Sequence, residues 1–145
     1  MRIQDKFTSI GKYGCLAMCY IYAVADALGI KNEMREPFVA SMVLNALEKN
    51  IIDDDCFVKN PIALMQSAAA FYNMRIKANV TKKEINGYTD VSEHKYACVR
   101  HDFNGKSHWV LAKDGWRIFD SLEDSQCVKN GKPVSARIID LEIMQ

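Results

Sequence analysis

Hydrophobic and polar positions along the chain follow two different periods. In the first half, apolar residues recur every three or four positions, the spacing of an α-helix that buries one side. After Asn73, apolar and polar residues alternate, the spacing of a half-buried β-strand. The order predicts an α+β fold in which N-terminal helices pack on a C-terminal antiparallel β-sheet.

The apolar spacing of the first half predicts three helices. The first covers residues 15–28, is apolar on almost every side, and is stopped by Gly29. The second begins at Pro37 and extends to about position 47. The third follows the capping residue Asn60 and ends near Tyr72. We expect the first helix to be central because so little of its surface is polar.

The second half predicts strands separated by glycine-containing turns. Residues 81–84 are expected to form a short helical turn, and residues 87–93 a loop. Two of the turns are the pairs Asn104-Gly105 and Asp114-Gly115. The expected strands are 74–80, 96–101, 107–112, 116–120 and 136–143.

Composition narrows the class of protein. The chain has 145 residues, which predicts a single domain over residues 1–145, and its net charge of +1 gives no argument for nucleic acid as a partner. No apolar stretch is long enough for a membrane span, and the polar start lacks a signal peptide. Five cysteines without a CxxC pair favour free thiols in a reducing compartment. We therefore expect a cytoplasmic protein, and a phage lysin released through a holin would have the same features.

The strongest candidate for chemistry is Cys15, which follows Gly14 at the expected start of the first helix. Unpaired backbone N–H groups at a helix start create a partial positive charge that favours the thiolate, the nucleophilic form of cysteine. The competing interpretation is a thiol buried in the core, as we expect for Cys19. A nucleophile also needs a base, and His108 at the start of an expected strand is the best placed histidine.

Two other arrangements compete with this one. His101 ends a strand beside Asp102 and is a rival base if the strand order differs from the expected one. Alternatively, Cys15 and Cys19, one helical turn apart, could bind zinc together with His108 and Asp120. We expect no metal and no other cofactor. Trp109 and Trp116 are expected to pack on the sheet.

The turn after His108 decides which residue lies opposite this histidine. A two-residue turn at Asp114-Gly115 would place Ser121 opposite His108 and point Asp120 to the other side. A three-residue loop over residues 113–115 would place Asp120 directly opposite, with Cβ atoms about 5 Å apart. The sequence allows both registers.

The order of these features resembles papain-like cysteine peptidases over most of the chain. The segments 107–112 and 116–121 look most like the compact bacterial branch that includes the double-glycine leader peptidases, which process bacteriocins. The resemblance implies Cys15 as nucleophile, His108 as general base and acid, and Asp120 as the residue that orients the imidazole. The family places an oxyanion-hole glutamine about six residues before its cysteine. That position is Ser9 here, and Gln4 is the nearest upstream glutamine, so the resemblance assigns that role to Gln4.

The expected activity is hydrolysis of a peptide or isopeptide bond by a cysteine peptidase or amidase. The substrate would be a peptide or protein, and analogy with small members of the fold suggests peptides of the bacterial cell wall, cleaved by a bacterial or phage enzyme. The alternative is a catalytically inactive papain-like domain that binds a peptide or a partner protein in the same cleft.

Overall fold

The computed structural model describes residues 14–30, 36–53, 57–122 and 125–144. The chain divides into two compact units, one of Met1–Ala78 with Leu141–Gln145 and one of Asn79–Asp140. Helices in the first half and strands in the second confirm the α+β class. The elements in chain order are α1 (Cys15–Ala27), α2 (Glu36–Glu48), α3 (Pro61–Ala70), β1 (Arg75–Glu84), a 3-10 helix (Tyr88–Val91), β2 (Tyr96–Phe103), β3 (Lys106–Lys113), β4 (Trp116–Phe119), α4 (Gln126–Asn130) and β5 (Lys132–Met144).

The first unit contains the three predicted helices. Helix α1 packs against both α2 and α3, and its buried residues lie on several sides, as its apolar composition predicts. Gly29 ends α1 in the left-handed conformation, with φ of 73°, which glycine adopts without steric cost. Asn60 caps α3 by accepting a hydrogen bond from the backbone N–H of Ala63 at 3.0 Å. In the described residues no helix is long and apolar enough to cross a membrane.

A five-stranded sheet with the order β1-β5-β2-β3-β4 organises the second unit. Strand β2 pairs antiparallel with both β3 and β5, and β3 pairs antiparallel with β4, which lies at an edge of the sheet. One face of the sheet is apolar, and Tyr88 of the 3-10 helix and Val128 of α4 pack against it. The buried residues of this cluster are Ile85, Val91, Ala97, Val99, Val110, Ala112, Ala136 and Ile138.

Some elements differ from the sequence prediction. Residues 81–84 continue β1 instead of forming a helical turn, and their exposed side chains give no apolar alternation that would have marked a strand. The expected loop at 87–93 contains the 3-10 helix. Helix α4 was not predicted, because its five residues are too few to show a helical period. Trp116 is 78% exposed rather than packed on the sheet, since it lies at the start of the edge strand β4.

Gly131 lies where two segments of backbone come unusually close. A Cβ atom at this position would lie 2.3 Å from the carbonyl oxygen of Asp102 and 2.4 Å from that of Cys127. Both are backbone atoms, so a side chain cannot be accommodated by a change of rotamer. The join between α4 and β5 therefore requires glycine.

We expect Gly131→Ala to lower the free energy of unfolding by about 3 kcal/mol, the upper part of the usual range for overpacking. Gly87→Ala is the matched control, because a Cβ there has no neighbour within 4 Å and the backbone is extended. That variant should stay within about 0.5 kcal/mol of the parent. Urea denaturation of both variants measures the difference, and equal stability of the two would contradict the close approach.

Candidate active site

In the second unit, the buried side chain of His108 lies within ion-pair distance of the carboxylate of Asp120. The imidazole of His108 is 3% exposed, and its Nε2 lies 2.5 Å from Oδ1 of Asp120. The same carboxylate oxygen accepts a hydrogen bond from the backbone N–H of Leu122 at 2.9 Å, which fixes its position. An ionised carboxylate has no proton to donate, so Nε2 carries the hydrogen. In the neutral ring, Nδ1 then holds the lone pair that a general base needs.

The hairpin between β3 and β4 has a two-residue turn. Ala112 pairs with Arg117, and Lys113 with Trp116. Asp114 and Gly115 have φ of 54° and 83°, as the favoured two-residue hairpin turns require. The three-residue loop that we considered from the sequence is therefore wrong.

Asp120 nevertheless reaches His108, by a route that neither register predicted. The ladder shifts between Ala112 and Leu111, which pairs with Phe119, so β4 contains one extra residue. Strand β4 ends at Phe119, and Asp120 lies beyond the ladder. The extra residue shifts the alternation by one position, so that Asp120 returns to the face of the sheet that carries His108. The expectation that a two-residue turn would point Asp120 away from His108 is also wrong.

His101 lies directly opposite His108 on the neighbouring strand β2. Its ring is 4% exposed, and its Nε2 is 2.5 Å from the hydroxyl of Tyr88. Burial lowers the pKa of His101 below 6.5, and the charge of Arg117 lowers it further. Its Nδ1 is buried and has no hydrogen-bond partner in the part of the chain that the structure describes. His101 is thus a neutral ring at pH 7.

The rival arrangement in which Asp102 orients His101 does not form. The carboxylate of Asp102 instead binds the guanidinium of Arg100 at 3.0 Å and the hydroxyl of Ser107 at 2.7 Å. His101 contacts a phenol where His108 contacts a carboxylate. Of these two histidines, His108 has the partner that stabilises a protonated imidazole.

Cys15 is the first residue of α1, directly after Gly14, as predicted. Its side chain is partly exposed, and the first turn of the helix contains no acidic residue that would oppose a thiolate. Cys19, Cys98 and Cys127 are buried. That the sulfur of Cys15 meets the imidazole of His108 stays a prediction.

The remaining predictions concern the oxyanion hole, the metal site and Trp109. Gln4, the predicted oxyanion-hole residue, lies outside the described residues, and so do Ser9 and Cys56. Within the described ranges, no three His, Cys, Asp or Glu side chains converge as a metal site requires. Trp109 lies between two cations, with the guanidinium carbons of Arg137 and Arg100 at 4.9 and 6.0 Å from its ring centre.

His101 should make the stability of the protein depend on pH. Its lowered pKa means that the folded chain binds a proton less tightly than the unfolded chain, whose histidine titrates near 6.5. The stabilisation is therefore complete above pH 6.5 and is lost as the pH falls below that value. Urea denaturation at pH 7.5 and 5.5 should show a smaller pH-dependent loss for His101→Gln than for the parent chain.

The same ring can be followed directly by NMR titration. Arg117→Gln removes a positive charge that acts on His101, so the pKa of His101 should rise in this variant. Lys106→Gln removes an equally exposed charge at the start of β3 and serves as the control. An unchanged titration in Arg117→Gln would contradict the electrostatic contact.

Comparison with known protein families gives a match over nearly the whole chain. Residues 1–141 match the family described as "Protein of unknown function, DUF261". No curated protein and no solved structure matches the chain significantly. Because the match covers nearly the whole sequence, the chain belongs to the DUF261 family.

Proposed function

We propose that this protein is a papain-like cysteine peptidase or amidase in which Cys15 is the nucleophile, His108 the general base and acid, and Asp120 the orienting residue. The observation that supports it most strongly is the hydrogen bond between His108 Nε2 and Asp120 Oδ1. This bond supplies the third member that Cys/His catalysis needs, a group that fixes the tautomer and direction of the imidazole. A second observation that supports the proposal is the position of Cys15 at the start of α1.

In the proposed reaction, Nδ1 of His108 takes the proton of Cys15, and the sulfur attacks the carbonyl carbon of the scissile bond. The oxyanion is stabilised by the backbone N–H of Cys15 and, by the resemblance, by the side-chain amide of Gln4. The protonated His108 gives its proton to the leaving nitrogen as the carbon–nitrogen bond breaks. Water that His108 deprotonates then cleaves the thioester and restores the thiol.

Asp120 contributes in two ways to this cycle. Its carboxylate holds the ring through Nε2, and its negative charge stabilises the imidazolium that forms when Cys15 loses its proton. The backbone N–H of Leu122 keeps the carboxylate in place. Burial of His108 strengthens these electrostatic effects, because little water screens the pair.

The substrate class that we propose is a peptide or isopeptide bond, with bacterial cell-wall peptides as the first compounds to assay. This choice rests on analogy with small papain-like enzymes. A cytoplasmic location is part of the same proposal.

Alkylation by iodoacetamide at pH 6.5 tests the nucleophile without knowledge of the substrate. An ordinary thiol with a pKa of about 8.5 is about 1% thiolate at this pH, whereas a thiol paired with an imidazole is mostly ionised. Cys15 should therefore be labelled at least about tenfold faster than Cys19, Cys98 and Cys127, as measured by peptide mass mapping. His108→Ala should bring its rate close to that of an ordinary thiol.

His94→Ala is the matched control, because His94 lies outside the pair that His108 forms with Asp120. This variant should label Cys15 at the parental rate. Slow labelling of Cys15 in the parent chain, unchanged by His108→Ala, would contradict the peptidase proposal. That result would instead favour an inactive domain that binds a peptide or partner protein.

Asp120→Asn should slow the alkylation of Cys15 less than His108→Ala does. The amide oxygen of asparagine can still accept the hydrogen bond from Nε2, so the ring stays oriented, but the negative charge that stabilises the imidazolium is lost. Asp140→Asn removes the same charge at an exposed position of β5 and is the control. If Asp120→Asn leaves the rate unchanged over pH 5.5–8, Asp120 is not the orienting residue.

A further inference from the structure

A pocket of about 600 Å³ lies beside the paired histidines in the second unit. His101 lies in its wall, and its rim contains two exposed residues, Trp116 and Arg117. Tyr88, Gly115 and Val128 are the other described residues that line it. Because His101 pairs with His108 and Arg117 with Ala112, these side chains share the apolar face of the sheet. The pocket therefore opens next to the proposed general base.

The pocket contains a cation that the described residues leave unpaired. Arg117 forms no salt bridge with any carboxylate in the described ranges, although two aspartates lie near enough to act on the same histidine. Asp120 is bound to His108, and Asp102 is bound to Arg100 and Ser107. A guanidinium in a pocket with no internal counter-ion is suited to bind an anion from outside, above all a carboxylate.

The ring of His101 forms part of the pocket wall, and one of its two nitrogens is buried away from solvent. His101 is only 4% exposed. Its Nε2 forms a hydrogen bond with the hydroxyl of Tyr88, and its Nδ1 has no hydrogen-bond partner in the described part of the chain. Buried polar atoms without a hydrogen bond are uncommon in native proteins, and this one is out of reach of solvent, so the ring contributes to the wall through its shape. In either neutral tautomer of His101, whichever partner donates in the bond between Nε2 and the Tyr88 hydroxyl, the ring adds no second cation beside Arg117.

The turn that borders the pocket is held in place by a close contact. Gly115 has φ of 83°, and a Cβ atom there would lie 3.0 Å from the backbone of Ser92. The backbone N–H of Asp114 donates to the carbonyl of Lys95 at 3.0 Å. These contacts join the β3–β4 turn to the segment after the 3-10 helix. The pocket is thus formed by two segments that are held together.

We propose that this pocket is a subsite for a carboxylate group of a peptide, with the guanidinium of Arg117 as its ion-pair partner. The indole of Trp116 covers the apolar part of the same ligand residue. A single guanidinium balances one negative charge, and the two nearby aspartates repel a dianion, so a carboxylate fits better than a phosphate. The consequence for catalysis rests on the proposed function: the enzyme selects peptides that carry a carboxylate near the scissile bond.

Binding can be tested apart from catalysis with three small probes. N-acetylglutamate α-amide has only a side-chain carboxylate, N-acetylglutamine has only a terminal carboxylate, and N-acetylglutamine α-amide has none. The full-length Cys15→Ser chain is titrated with each probe, and the indole N–H signal of Trp116 and the ring signals of His101 are followed by NMR. We expect at least one carboxylate probe to saturate with a Kd of about 1–10 mM, and the neutral probe to bind at least tenfold more weakly.

Three variants show whether Arg117 carries this preference. Arg117→Gln should reduce the affinity of the carboxylate probe at least tenfold and make it equal to that of the neutral probe. Arg117→Lys should retain part of the affinity for the carboxylate probe. Lys106→Gln, which removes a charge outside the pocket, should leave that affinity unchanged. The preferred probe identifies the source of the carboxylate, a side chain or a chain terminus.

The inference is overturned if all three probes bind equally, if none binds, or if Lys106→Gln weakens binding as much as Arg117→Gln does. These outcomes are independent of the alkylation of Cys15. Fast labelling without carboxylate binding would retain the peptidase and reject the subsite. Carboxylate binding with an unreactive Cys15 would retain the subsite and reject the peptidase.

Discussion

The hydrogen bond between the buried imidazole of His108 and the carboxylate of Asp120 is the interaction on which the candidate site depends. A carboxylate that is largely removed from water is costly without partners, and the described residues give Asp120 the Nε2–H of His108 and the backbone N–H of Leu122. The pair in turn fixes the tautomer of the ring. Without it, His108 would be one more buried histidine, and the sequence features around Cys15 would have no base to act with.

The sheet makes this pairing possible through a local irregularity. A regular two-residue hairpin would have directed Asp120 away from His108, because side chains alternate along a strand. The extra residue in β4 shifts that alternation by one position, so that Asp120, just beyond the end of the strand at Phe119, faces His108. Bulges near active sites often redirect one side chain in this way. The register of the hairpin and the position of the carboxylate are therefore separate properties of the chain.

The sequence predicted the α+β class, the three helices, and β2, β3 and β4 with bounds within two residues of those observed, because their periods are regular. Strand β1 continues four residues further than predicted, and β5 begins four residues earlier. The pairing of His108 with Asp120 was left open by the sequence, which allowed two registers, and was implied only by the resemblance. The bulge that allows this pairing leaves no mark in the alternation of residues. The short helix α4 and the bond between Tyr88 and His101 depend on contacts between segments distant along the chain. Periodicity within one segment carries no information about such contacts.

The two facing histidines illustrate how partners assign different roles to identical side chains. The two histidines lie directly opposite each other, a position at which Cβ atoms are about 5 Å apart. Two positive charges at about that distance repel by about 3 kcal/mol at an effective dielectric constant of about 20. The partners remove this conflict. A carboxylate favours the positive charge on His108, whereas burial and the nearby Arg117 lower the pKa of His101 and keep that ring neutral. One β-ladder can thus carry a ring suited to accept a proton beside a ring that stays uncharged.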